Sequence, residues 1–245
     1  LSKDGKSMYV ITSEWSKEFK NIEDKNSEPM YYENLPFRFD TRGIIYNKRS
    51  HVYKVNIQTK KFTKIVDGDA KDIISIESLV EGDKGLVLSF DQYNSKGTML
   101  EEKIGAIEGS KIKEIYSQGS MGNLFYYEDG LHAVGMRKRF DWPTNTTVLK
   151  ISKAGKVSFK YHSFDRNVVK AEVNESILYF LYEDSGKTLL RDGTNNIDLI
   201  NSEVTIKDFA FNNEQTFVIA NSFSNPDEIY ELNNGQLTKI SKANE

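Results

Sequence analysis

The chain has 245 residues, 38% of them hydrophobic and 12% aromatic, which is enough for a packed core in one large all-β domain or in two smaller ones. Its 33 basic and 36 acidic residues leave a formal charge of −3, without the basic excess that a nucleic-acid surface requires. Cysteine is absent, which excludes disulfides, thiolate metal sites and cysteine nucleophiles and fits a cytoplasmic chain; no run of about eighteen apolar residues and no basic-flanked apolar leader is present, so neither a membrane span nor a signal peptide is expected.

Taken from the N-terminus, segments of near-alternating apolar and polar residues come in pairs joined by Gly, Asn or Asp, the pattern of half-buried strands in hairpins. One type of hairpin covers residues 1–12 (turning at Asp4-Gly5), 73–90, 123–136 (Glu128-Asp129-Gly130), 168–182 (Asn174-Glu175) and 205–221. A second type follows each of these: 51–66 (Gln58-Thr59), 104–116 (Gly109-Ser110), 147–161 (Ala154-Gly155), 189–200 (Thr194-Asn195) and 229–240 (Asn234-Gly235). Two hairpins in about forty residues are the size of one β-propeller blade. The expectation is therefore an all-β fold, a single β-propeller domain over residues 1–245 with four-stranded antiparallel blades. About five blades are visible, and the chain opens partway into one, as a fragment of a larger propeller would. A cut arc leaves an apolar face exposed, so a homo-oligomer is expected through it.

One segment breaks the period. Residues 13–40 form an insertion in the first blade, rich in Glu, Lys, Asn and aromatic residues, with Trp15, Phe19 and Ile22 spaced for one face of a short helix that Pro29 and Pro36 would end. A long insertion in a repeat scaffold either carries function or packs over one face.

Few residues form a catalytic pattern. The string Gly-x-Ser-x-Gly is absent; Gly119-Ser120-Met121-Gly122 has the wrong spacing and reads as a turn. His51, His132 and His162 lie at or beside strands without a second histidine at ligand spacing, so no catalytic residue and no zinc site is expected. Asp67-Gly68-Asp69 with Asp72 has calcium-like spacing but lacks the later glutamate of a binding loop, and reads as a solvated turn between blades. Arg137-Lys138-Arg139 beside Phe140 and Trp142 suits an acidic tail or, more simply, a solvated hairpin end. No cofactor is expected.

Three stretches carry a resemblance. Ala220-Asn221-Ser222-Phe223-Ser224-Asn225-Pro226, then Asp227-Glu228-Ile229-Tyr230-Glu231-Leu232, then Gly235-Gln236-Leu237-Thr238-Lys239-Ile240 with Ala243-Asn244, resemble the end of the propeller in the prolyl oligopeptidase family of serine peptidases. The acylaminoacyl-peptidase and dipeptidyl-aminopeptidase-like branch is the nearest. Leu1-Ser2-Lys3-Asp4-Gly5-Lys6 looks like that family's Trp-Ser-Pro-Asp-Gly-Lys hairpin. Leu35-Pro36-Phe37-Arg38-Phe39-Asp40, leading to His51-Val52-Tyr53, is similar to its Leu-Pro-Tyr-Arg followed by a His-Leu-Tyr strand.

The resemblance implies a non-catalytic domain that covers a C-terminal α/β-hydrolase domain of the same parent chain, gating and selecting peptide substrates. The catalytic residues would then lie after residue 245. Glu28, Glu33, Arg38 and Asp40, in the insertion and at its exit, are the expected substrate contacts: carboxylates for a free amino terminus, the guanidinium for an acyl carbonyl or carboxylate. The simpler alternative pairs Arg38 with Asp40 or with a neighbouring loop. The rival to the whole reading is a stand-alone TolB-like or WD-repeat-like propeller scaffold that binds a protein or peptide.

Overall fold

The computed structural model describes residues 1–17, 31–40, 43–128, 130–138, 144–160, 164–200, 203–212 and 215–243. Strand β1 (Ser7–Trp15) is followed by the short ribbon of β2 (Arg38–Phe39) and β3 (Gly43–Ile44), then by β4 (Lys48–Asn56) and β5 (Phe62–Val66). Strands β1, β4 and β5 make a three-stranded sheet in that order. After a one-turn helix, α1 (Gly68–Lys71), a four-stranded sheet is built from β6 (Ser75–Gly82), β7 (Gly85–Tyr93), β8 (Leu100–Glu108) and β9 (Lys111–Tyr116).

Three more four-stranded sheets repeat the plan. They are β10 (Ser120–Tyr127) to β13 (Val157–Phe159) through β11 (Gly130–Met136) and β12 (Thr147–Ile151); β14 (Val168–Asn174) to β17 (Ile197–Asp198) through β15 (Ile177–Asp184) and β16 (Lys187–Asp192); and β18 (Thr205–Asn212) to β21 (Gln236–Lys239) through β19 (Gln215–Ser222) and β20 (Asn225–Asn233). Strand order follows chain order in each, as short hairpin connections dictate.

The chain divides into two compact units, residues 1–124 with 153–155, and residues 125–152 with 156–245. In the first, Val52 and Val66 pack with Ile73, Ile76, Leu88 and Phe90, so the first two sheets bury their facing sides together, with Tyr9 at the margin. In the second, Phe125, Val134 and Val148 pack with Val168, Leu178 and Phe180, and Leu181 and Leu190 with Ile206, Phe209 and Val218. Each core is thus made between consecutive sheets, because a strand with alternating apolar residues can bury only one face by itself.

A repeated irregularity marks the sheets as copies of one plan. The register of the first strand slips by one residue between Ile76 and Ser78, between Val168 and Lys170, and between Ile206 and Asp208. Each slip lies just inside its strand, opposite Phe90, Tyr182 and Ala220 respectively. A bulge at one fixed place twists the strand locally and ends an open edge.

The first sheet has three strands among the described residues, and Ser2 N–H donates to Ser7 O (2.8 Å) across the predicted Asp4-Gly5 turn. One expectation needs correction. Trp15 ends β1 instead of opening a helix, since residues 7–15 pair continuously with β4; Phe19 and Ile22 lie outside the described residues.

Candidate functional site

The connection from β1 to β4 is the longest departure from the repeat, and its second half is held firmly against the second sheet. Leu35 N–H donates to Gly97 O (2.7 Å), and the Tyr93 hydroxyl donates to Pro36 O (2.7 Å), on either side of a cis Leu35–Pro36 peptide. Gly97 sits at φ +66, and a Cβ there would lie 1.9 Å from Asn34 Oδ1, so a side chain at this turn would be strained and would displace Asn34. Ile45 N–H donates to Phe37 O (2.8 Å), closing the β2–β3 ribbon against its own exit.

Aromatic rings form the interior of this ledge. Tyr32 stacks on Phe37 (4.3 Å between centroids) and meets Tyr46 edge-on (5.5 Å); Tyr46 in turn lies 6.4 Å from Tyr93. Burial pushes the Tyr93 hydroxyl up to about 12, so it remains a donor at any working pH. Ile45, Ile74, Tyr93 and Leu100 anchor the whole to the core.

Three of the four predicted contact residues ride on this ledge. Glu33, Arg38 and Asp40 are all exposed within one docked segment; Glu28 lies outside the described residues. Among the described residues no ion pair joins Arg38 to Asp40. Tyr31 is 81% exposed and Leu35 56% exposed beside them, which gives the charges apolar neighbours.

A second cluster lies between β4 and α1. His51 Nδ1, buried, accepts from Gly68 N–H (3.1 Å) and stands 3.2 Å from Lys64 Nζ and 3.3 Å from Asp67 Oδ1. Burial, reinforced by the Lys64 charge, holds His51 below its ordinary value, so the ring is a neutral acceptor. The ligand atoms of His51, Asp67 and Asp69 lie within 4.8 Å of one another, and Lys64 Nζ stands 3.8 Å from Asp67 Oδ1. Asp72 turns away to pair with Arg49 (2.7 Å). The predicted solvated turn is therefore a short helix beside a charge cluster in which Lys64 offsets one of two carboxylates. His132, fully buried, has Nδ1 3.1 Å from Gly130 O; neither described histidine meets a serine hydroxyl.

Sequence reasoning missed Glu228 as an anchor. Although it falls in a matching stretch, nothing in an Asp-Glu pair before Ile229 marks one carboxylate as buried. It is 3% exposed, takes the Ser241 hydroxyl and Ala243 N–H (3.2 Å), and lies 3.3 Å from Lys239 Nζ. Ser241 also accepts from Ile229 N–H (2.8 Å), so the chain beyond β21 is tied back to β20.

No protein-family model matches the chain, and no curated protein matches it in sequence. Solved structures do. The uncomplexed acylaminoacyl peptidase of Pyrococcus horikoshii superposes over 100% of this chain and 38% of its own, with a TM-score of 0.74 at 13% identity. An acylaminoacyl peptidase in complex with Z-Gly-Gly-Phe-chloromethyl ketone gives the same TM-score over 100% of this chain and 37% of its own. The β-propeller domain of the Trilobed protease from Pyrococcus furiosus, described as having an open velcro topology, matches over 80% of this chain and 77% of its own, with a TM-score of 0.56 at 13% identity.

The fold is a β-propeller. The similarity to peptidase propellers read from the chain ends is thus met at the level of fold. The propeller here spans little more than a third of the length of the peptidase chains that it matches.

Proposed function

We propose that the chain is the non-catalytic propeller domain of a serine peptidase of the prolyl oligopeptidase type, acylaminoacyl-peptidase-like, which gates and selects peptide substrates for an α/β-hydrolase domain in the same parent chain. The observation that carries this reading is the fold match to acylaminoacyl peptidases over 98–100% of the chain, together with the sequence likeness at both ends. In this reading residues 1–245 act as a single propeller domain in the cytoplasm, a location that the cysteine-free composition favours.

The ledge from Tyr31 to Tyr46 is the part that meets substrate. Arg38 binds an acyl carbonyl or carboxylate of the peptide, Glu33, Asp40 and Glu28 bind amino groups, and the exposed Tyr31 and Leu35 cover apolar side chains. Losing one charge-assisted hydrogen bond removes about 1.5–3 kcal/mol. In the parent enzyme Arg38→Ala is therefore expected to raise KM for a blocked peptide about tenfold or more, with kcat changed much less. An unchanged KM would remove Arg38 from the substrate path.

A further inference from the structure

A cavity of about 390 Å³ opens between the first two sheets, where β5 and α1 face the β8–β9 hairpin. All of these elements lie in the first compact unit, and the volume falls in the range of small-molecule pockets. Ile65, Ile107 and Ile112, half-buried at the margin of the core, supply its apolar lining. Lys71, Ser110 and Lys111 supply polar groups. None of these residues belongs to the ledge.

Three lysines line the cavity, and only one of them is paired. Lys64 Nζ stands 3.2 Å from His51 Nδ1 and 3.8 Å from Asp67 Oδ1, the one carboxylate of the lining. The acidic residues beside the other two are turned elsewhere. Asp72 pairs with Arg49 (2.7 Å), and Asp69 accepts from Lys17 N–H (3.3 Å). Glu108 faces Lys111 across the β8–β9 ladder, yet it pairs with Lys113 (3.8 Å). Among the described residues neither Lys71 nor Lys111 pairs with a carboxylate. Two unpaired ammonium groups beside three isoleucines match an anion that carries an apolar body.

We infer that this cavity binds a small aliphatic carboxylate. Lys71 and Lys111 hold the head group by charge-assisted hydrogen bonds, with the Ser110 hydroxyl as a further donor. The hydrocarbon body covers Ile65, Ile107 and Ile112 and removes their apolar surface from water. Both halves of the ligand are needed. A bare anion gains nothing from the isoleucines and loses hydration beside them, while a neutral chain leaves both ammonium groups without a counter-charge. A free aliphatic acid offers this chemistry, and so does the carboxyl end of a peptide that finishes in leucine.

The test is an NMR titration of the full chain with octanoate. Saturable shifts are expected at Ile65, Ile107, Ser110 and Ile112. Acetate lacks the body and octanamide lacks the charge, so each is expected to bind at least about tenfold more weakly. Replacing both lysines, Lys71→Met with Lys111→Met, keeps most of each aliphatic stem and is expected to weaken octanoate at least about tenfold, with resonances away from the cavity unmoved. Lys207→Met, an exposed change in β18, should leave the affinity as it was. Gly-Gly-Leu separates the two sources: tighter binding than octanoate assigns the site to peptide ends, and weaker binding assigns it to free acids. Shifts that do not saturate, that acetate or octanamide reproduces at equal concentration, or that survive the loss of both lysines overturn the inference.

Discussion

His132 is kept neutral by what surrounds it. The ring stacks on Phe125 (5.6 Å) and meets Tyr127 edge-on (5.7 Å), its Nδ1–H donates to Gly130 O, and Nε2 has no partner among the described residues. Burial chiefly, and then the charges of Lys160 and Lys150, hold its pKa below the ordinary 6.5 despite the opposing bond to Gly130. The unfolded chain therefore binds this proton at a higher pH than the folded one. The contribution to stability is complete above pH 6.5 and is lost as the pH falls toward the depressed folded value. Urea midpoints should fall between pH 7 and pH 5, and His132→Phe, which keeps the stack without the titration, should flatten that slope. An equal slope in the variant would place the sensitivity elsewhere, with His51 next to be changed. Glu228 makes a different prediction. Glu228→Ala strands Lys239, Ser241 and Ala243 N–H, and should cost about 1–3 kcal/mol, read as a lower denaturant midpoint at unchanged m-value. His51 and His132 were legible as strand residues, because each falls within an alternating hairpin segment, while His162 lies outside the described residues; Glu228 was not legible as an anchor, because a carboxylate in sequence carries no sign of what will reach it.

At the scale of elements, hairpins were the most legible feature. Period-two alternation and turn residues fix them locally, and Asn234-Gly235 shows why: both residues take positive φ (49° and 79°), as a two-residue hairpin turn demands. The ledge was legible only as an interruption, since its docking depends on Tyr93 and Gly97, roughly sixty residues further on. Trp15 was misread for a related reason: Trp15, Phe19 and Ile22 satisfy a helical spacing, but β4 offered a nine-residue partner that ran through Trp15. Two variants test the docking. Tyr93→Phe deletes the bond to Pro36 O at a cost of about 1 kcal/mol, and Gly97→Ala adds a strained φ and displaces Asn34. Each should speed limited proteolysis within residues 31–47 while leaving the remaining sheets protected. Cleavage spread evenly along the chain would mean that the ledge is not a separately docked element.

For the whole molecule, the repeat carried the fold. Five hairpin pairs at a spacing of forty to fifty residues pointed to propeller blades, and the structure adds the shared bulge in three inner strands, a feature invisible in sequence because Glu77, Val169 and Lys207 have nothing chemical in common. The proposed role of the domain requires a parent protein in which a hydrolase and a propeller meet. The measurement that tests this most directly is to follow the reading frame past Glu245 and assay the whole product on a blocked aminoacyl chromogenic substrate. The account predicts a downstream Gly-x-Ser-x-Gly domain and hydrolysis that disappears when its serine is replaced. A reading frame without that domain, whose product leaves the substrate intact, would contradict it.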